Sequence, residues 1–133
     1  MRRRVLIVAV LLWVVVAFVG PAKAGDTPED VSVVQLIATP EKFDGKFVRL
    51  IGFLCIAFEG DAIYLRREDL EKGIPRNGLW VDIPEKTDPK LSMHYVLVEG
   101  VFDANDHGHM GMFSGAIRKV SRMTAWPPGK PKT

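Results

Sequence analysis

One segment of the chain combines side chains that bind transition metals. Residues 105–112 read Asn-Asp-His-Gly-His-Met-Gly-Met, with two imidazoles and two thioethers close together. Imidazole binds copper in either oxidation state, and thioether sulfur favours the reduced ion. The candidate ligands for copper or zinc are therefore His107, His109, Met110 and Met112, and Asp106 could add an oxygen ligand or orient a histidine. No distant ligand completes the set, so we expect no cofactor and keep copper or zinc as the alternative.

The same imidazoles suggest a second alternative, a small hydrolase that uses His107 or His109 as its base. The sequence contains no G-x-S-x-G, H-E-x-x-H or C-x-x-C motif and no phosphate-binding glycine loop. Nothing marks a particular serine as a nucleophile. The sequence therefore favours a role without catalysis.

A third group of candidates consists of aromatic and basic side chains on predicted strands. Aromatic rings stack on bases and sugars, and guanidinium groups can flank them. The candidate ligand-binding residues are Tyr64, Trp80, Tyr95, Arg49, Arg66 and Arg118. The competing interpretation is structural, because aromatic residues at strand spacing often fill the interior of a small barrel.

These candidates depend on five predicted strands. Stretches whose residues alternate between apolar and polar, or are apolar on both faces, predict strands over 46–58, 62–66, 78–83, 93–103 and 112–123. Gly52 lies in the middle of the first strand, where a small barrel needs a bend. Five strands are too few for a β-sandwich, which needs about seven. We therefore predict an all-β domain with one short N-terminal helix, folded as a small five-stranded Greek-key barrel of the oligonucleotide/oligosaccharide-binding (OB) type.

The connections carry weaker helical signals. Ser32 and Gln35 have the spacing of a capping box, so we expect the N-terminal helix to begin there. Thr39-Pro40 ends it, because the residue before a proline is disfavoured in helical conformation. Residues 67–72 are highly charged and pair Arg67 with Glu71 at i, i+4, which predicts a short helix on the surface.

The N-terminus has the three parts of a secretory signal. Three arginines at positions 2–4 precede an apolar run over 5–19, and Ala22-Lys23-Ala24 supplies the small residues of a cleavage site. We expect cleavage after Ala24 and a periplasmic or secreted protein. The alternative is a retained anchor in the inner membrane, although 15 apolar residues in a helix span only about 22 Å of a core about 30 Å thick.

Cleavage changes both the charge and the expected domain layout. It removes four of the 18 basic residues and none of the 16 acidic ones, so the net charge changes from +2 to −2. A mildly acidic domain does not suit general nucleic-acid binding. We expect a signal peptide over 1–24, a flexible leader over 25–31, the barrel domain over 32–126 and a disordered tail over 127–133. Cys55 is the single cysteine, and we expect it to be buried.

The chain also resembles a group of small exported bacterial proteins of unknown function with an OB-like barrel. The residues that carry the resemblance are 36–46, 48–52, 58–65, 77–81, 95–100 and 108–115. They cover nearly the whole predicted domain, so the resemblance implies the fold, and it brings no known activity. The Gly-His-Met-Gly segment at 108–111 belongs to the shared pattern, which favours His109 over His107 for any specific role. We therefore expect a binding or interaction module of the cell envelope, with an unknown ligand or protein partner and with membrane contact only if the signal is retained.

Overall fold

The computed structural model describes residues 26–129, which form a β-barrel with a few short helices. The strands in this range are β1 (Glu29–Asp30), β2 (Phe47–Cys55), β3 (Ala62–Tyr64), β4 (Gly78–Val81), β5 (His94–Asp103) and β6 (Ala116–Ala125). The helices are α1 (Val33–Ala38), α2 (Pro40–Phe43) and α3 (Arg67–Glu71), and short 3-10 turns cover Pro75–Asn77, Pro89–Leu91 and His109–Gly111.

The pairing of the strands closes the barrel. The sheet order is β1-β2-β3-β4-β6-β5, and β2 also pairs with β5. Strands β4 and β6 are parallel, while the other four pairings around the barrel are antiparallel. The five strands β2 to β6 therefore follow the circular order of an OB-type Greek key, in which the third and fifth strands are neighbours. The predicted fold class is confirmed.

The interior is a single apolar cluster that α1 and α2 close at one end. Leu50, Leu54 and Ile63 are among its fully buried side chains, and Phe102 is the largest of them. Helix α1 contributes Val33 and Leu36 to this core, and α2 contributes Phe43. Burial of these alternate strand positions supplies most of the hydrophobic free energy that stabilises the barrel.

The capping-box signal at the first helix is confirmed, and Gly52 in β2 lies where two strands approach closely. Ser32 Oγ accepts a hydrogen bond from the Gln35 backbone N–H at 3.1 Å, and Gln35 Oε1 accepts one from the Ser32 N–H at 2.9 Å. A Cβ atom at Gly52 would lie 2.6 Å from Ile63 Cγ1. Strand β2 can therefore approach β3 at Gly52 only because this residue lacks a side chain.

Several strands are shorter than predicted, and the boundaries that matter most lie before the first helix and at the start of the last strand. Residues 25–31 were expected to form a flexible leader, but Glu29 and Asp30 pair with β2 in parallel. Lys46 Nζ lies 3.7 Å from Glu29 Oε2, and Arg49 Nη1 lies 3.3 Å from Asp30 Oδ1, so these ion pairs, together with backbone pairing, hold the segment to the barrel.

Strand β6 begins at Ala116, four residues later than predicted, and it continues to Ala125. The apolar residues before it belong to a loop that covers the sheet. Among residues 26–129, no helix is long and apolar enough to cross a membrane. The predicted signal over 1–24 lies outside the described residues.

Candidate functional site

The outer face of β3 and β4 carries a second, smaller hydrophobic cluster. In OB barrels this face, with the loops at its sides, is the usual binding surface. Here the cluster consists of Phe53, Ala62, Tyr64 and Phe113, with Cys55, Leu70 and Trp80 packed against it. Leu70 comes from α3 and Phe113 from the β5–β6 loop. The protein therefore covers its own β3–β4 face with side chains from two other segments.

The β5–β6 loop lies directly on Trp80. A Cβ atom at Gly108 would be 2.7 Å from Trp80 Cβ, and Gly108 has a φ of +63°. The Phe113 ring meets the Trp80 ring edge to face at 5.7 Å and the Tyr64 ring at 6.4 Å. Tyr64 is only 6% exposed and Trp80 is half-buried. Tyr64 is therefore a packing residue, and Trp80 is partly covered by the loop.

Side-chain contacts hold this loop in place, and they use two of the four predicted metal ligands, His107 and His109. His107 Nδ1 lies 2.8 Å from the Phe113 carbonyl oxygen. The Asp106 carboxylate accepts a hydrogen bond from the Gly108 N–H at 2.9 Å and also pairs with Arg118. His109 Nε2 lies 3.3 Å from Glu59 Oε2 in the β2–β3 loop. These contacts of residues 106–109 hold the β5–β6 loop against the β3–β4 face.

The two candidate histidine ligands have separate partners, the Phe113 carbonyl oxygen for His107 and Glu59 for His109. Met110 is 82% exposed, and Met112 is also exposed. Within residues 26–129, no group of three or more His, Cys, Asp or Glu side chains is arranged to hold a metal ion. A copper or zinc site at these residues was the alternative proposed from the sequence, and it stays a prediction.

The hydrolase alternative also finds little support. His109 has a carboxylate partner in Glu59. In the described part of the chain, neither His107 nor His109 is hydrogen-bonded to a serine, threonine or cysteine that could act as a nucleophile. The hydrolase alternative stays a prediction.

The three predicted basic residues are all engaged with carboxylates. Arg49 Nε lies 2.8 Å from Glu99 Oε1, and this hydrogen bond raises the pKa of the guanidinium. Arg66 Nε lies 3.9 Å from the buried carboxylate of Asp69. Arg118 contacts Asp82 and Asp103 at 3.3 and 3.4 Å, as well as Asp106. Each of these guanidinium groups therefore has a carboxylate partner, and their role in ligand binding stays a prediction.

The third predicted ring, Tyr95, lines an open groove that borders the covered cluster at Phe53. We call it the Tyr95 groove; its volume is about 570 Å³. Its aromatic lining consists of Phe53, Tyr95 and Trp126, and its ionisable lining consists of Arg67, Glu68, Lys90 and His94. Tyr95 is 40% exposed and Trp126 41% exposed. Of the predicted rings, Tyr95 alone remains available for stacking.

Strand register explains why these rings meet. Phe53 and Tyr95 are direct neighbours across β2 and β5, and their rings contact edge to face at 5.4 Å. Trp126 follows β6, and its backbone N–H donates a hydrogen bond to the Tyr95 carbonyl oxygen at 2.9 Å. The Arg67 guanidinium lies over the Phe53 ring at 5.3 Å. Two exposed rings and a cation therefore share one concave surface.

Sequence reasoning missed Trp126 and Arg67 as groove residues. Trp126 was placed at the last position of the barrel domain, next to the tail, and Arg67 was assigned to a solvated helix. Trp126 could have been identified from the sequence, because it is an isolated aromatic residue before Pro127 in an otherwise polar segment. A large aromatic side chain in such a segment usually packs against other side chains or a ligand.

Two groups in the covered face have altered acidities. Burial raises the pKa of the Cys55 thiol, and the nearby Asp61 carboxylate adds to this effect. Burial likewise raises the pKa of the Tyr64 hydroxyl. Cys55 is half-buried rather than fully buried, and its neutral thiol is a poor nucleophile.

Comparisons with protein-family models, with curated proteins and with solved structures find no match to this chain.

Proposed function

We propose that this protein is an exported, non-enzymatic binding module of the cell envelope whose ligand lies in the Tyr95 groove. The observation that carries the proposal is the pair of exposed rings, Tyr95 and Trp126, beside the cations of Arg67 and Lys90. Small-molecule sites typically occupy about 300–1,000 Å³ and combine apolar lining with a few polar groups. The secretory pattern over 1–24 supports the envelope location.

The exposed rings of the groove favour a ligand with a flat or apolar part. Arg67 and Lys90 lie near Glu68, and Arg67 also pairs with Glu71 at 3.7 Å, so the charges around the groove nearly balance. Tyr95 and Trp126 offer ring faces on which a sugar, a base or an apolar side chain can stack.

A thermal-shift screen of the purified protein tests the proposal. The panel contains copper(II), zinc, short single-stranded oligonucleotides, cell-wall sugars and acidic peptides. A ligand that binds only the folded state at about 100 times its Kd stabilises it by about 2.7 kcal/mol. We expect Tyr95→Ala and Trp126→Ala to abolish the shift, relative to each variant's own Tm.

Phe58→Ala is the matched control, because Phe58 is 92% exposed and lies outside the Tyr95 groove. It should leave the shift unchanged. A panel without any stabilising compound would contradict the proposal. So would a shift that survives both groove substitutions, and a metal-induced shift that His109→Ala removes would support the metal alternative instead.

A further inference from the structure

The chain leaves strand β6 at the wall of the Tyr95 groove. Trp126 follows β6, and its backbone N–H donates a hydrogen bond to the Tyr95 carbonyl oxygen. Strands β5 and β6 are antiparallel, so residues after Trp126 that kept this register would pass His94 and then Met93. Both of these residues also line the groove. The backbone therefore carries the residues that follow Trp126 to the edge of the groove.

These following residues are rich in proline. Residues 127–133 read Pro-Pro-Gly-Lys-Pro-Lys-Thr, and the described part of the chain ends at Gly129 with all of 127–129 exposed. Proline fixes φ at about −65° and favours the polyproline II conformation. A segment of this composition therefore loses little conformational entropy when it binds a surface.

The four residues 130–133 are long enough to cross the rings of the groove. The Phe53, Tyr95 and Trp126 rings belong to β2, β5 and the end of β6, which are neighbours in the sheet. Adjacent strands lie about 4.8 Å apart, so this row of rings is about 10 Å long. Four residues in polyproline II span about 12 Å. Gly129 can turn the chain back over the sheet, because glycine readily adopts a positive φ and an added Cβ here would meet nothing within 4 Å.

The groove has the chemistry that a proline-containing segment requires. Tyr95 and Trp126 are 40% and 41% exposed, and their rings are flat apolar surfaces on which pyrrolidine rings can pack. Polyproline II has no internal hydrogen bonds. Its carbonyl oxygens can therefore accept hydrogen bonds from the Tyr95 hydroxyl and the Trp126 indole N–H.

Charge contributes little to this match. Arg67 pairs with Glu71 at 3.7 Å, and Glu68 and Lys90 offset each other around the groove. The lysines at 130 and 132 therefore meet a nearly neutral surface. Because the contact depends on apolar packing and on backbone hydrogen bonds, we expect it to change little with salt.

We propose that residues 130–133 fold back over Tyr95 and Trp126 of the same molecule and occupy the Tyr95 groove, an inference that rests on the proposed function of that groove. In this arrangement the Pro131 ring packs on the two aromatic rings. An external ligand must displace the segment, so its apparent affinity falls by the fraction of molecules whose groove is free. The segment thereby regulates access to the groove.

Nuclear Overhauser effects in the purified protein test the contact directly. We expect cross-peaks between the Pro131 ring and the rings of Tyr95 and Trp126, with similar intensity at low and high salt. An equal mixture of isotope-labelled and unlabelled protein separates contacts within one molecule from contacts between two. Cross-peaks that arise only between molecules would mean that the segment occupies the groove of a second copy, and they would overturn the inference.

Pro131→Gly keeps the length and charge of the segment and removes the pyrrolidine ring that covers Trp126. With Trp13→Phe and Trp80→Phe also present, acrylamide quenching of Trp126 should increase. The added backbone freedom should lower the ratio of occupied to free groove by about two- to fivefold. Lys132→Gln is the control within the same segment: it removes a charge, keeps every proline and should leave the quenching unchanged.

The absence of the Pro131 cross-peaks, or equal quenching with and without Pro131→Gly, would contradict the inference. The proposed function has a separate readout, a compound whose thermal shift depends on Tyr95 and Trp126. We expect Pro131→Gly to lower the Kd of such a compound by about two- to fivefold.

The two proposals can therefore fail separately. If such a compound binds and its Kd is the same in Pro131→Gly, the proposed function stands and occupation by the segment fails. If the cross-peaks are present and no compound stabilises the protein, the segment occupies the groove and the proposed function fails.

Discussion

Gly108 is the residue on which coverage of the β3–β4 face most depends. It has a φ of +63°, and it places the backbone of the β5–β6 loop against the Trp80 ring. Any side chain there would overlap both Cβ and the ring of Trp80, because the nearest atoms lie within 2.8 Å of an added Cβ. The Gly-His-Met-Gly pattern is therefore explained at this position by close packing.

Gly108→Ala should lower the free energy of unfolding by about 2–4 kcal/mol, because overpacking adds to the strain of a left-handed backbone. Gly111→Ala is the matched control: Gly111 has a φ of +66°, but nothing lies within 4 Å of its added Cβ. It should cost only about 1 kcal/mol, the strain of the backbone alone. Urea denaturation of both variants measures the difference, and equal losses would contradict the packing argument.

The pattern along a single strand does not predict which of the three proposed rings is buried. Alternation along each strand placed Tyr64, Trp80 and Tyr95 on β3, β4 and β5. It could not show what covers each position, because Phe113 and Gly108 lie far along the chain from Tyr64. Exposure of Tyr95 and burial of Tyr64 are therefore results of tertiary packing.

At the scale of elements, α3 links the two faces of the barrel. It contributes Leu70 to the covered β3–β4 face and Arg67 to the Tyr95 groove. Asp69 holds it in place: this carboxylate is 2% exposed, accepts from Asn77 Nδ2 at 2.9 Å and accepts from the Arg66 N–H at 3.2 Å. The helix is anchored through one buried acidic side chain.

Asp69→Ala should therefore lower the free energy of unfolding by about 1–3 kcal/mol, since it leaves buried donors without an acceptor. Glu71→Ala removes another carboxylate of α3, whose ion pair with Arg67 at 3.7 Å is half exposed. That pair should contribute less than about 1 kcal/mol. Thermal denaturation compares the two variants, and a larger effect of Glu71→Ala would be inconsistent with the proposed anchor.

Element prediction succeeded where the signal is local and failed where it depends on distant residues. The capping box at Ser32 and the five barrel strands are encoded by nearby positions. Strand β1 was missed because its pairing depends on Lys46 and Arg49, which lie well beyond it in the chain. Phe113 was assigned to a strand because apolar periodicity does not distinguish a strand from a loop that covers a sheet.

For the whole molecule, the same barrel has one face that it covers itself and one that it leaves open. The β3–β4 face is filled by Phe113, Leu70 and the loop at Gly108. The neighbouring Tyr95 groove leaves Tyr95 and Trp126 exposed. We expect ligands to bind in this groove rather than on the covered β3–β4 face.

Fluorescence can assign binding to one of the two faces because each carries one tryptophan. Two double variants are compared, and both carry Trp13→Phe. The variant that adds Trp126→Phe keeps only Trp80, and the variant that adds Trp80→Phe keeps only Trp126. The compound or peptide that most raises the Tm is added, and acrylamide quenching is measured with and without it. We predict that the ligand protects Trp126 from quenching and leaves Trp80 unaffected. Protection of Trp80 with unchanged quenching of Trp126 would contradict the account.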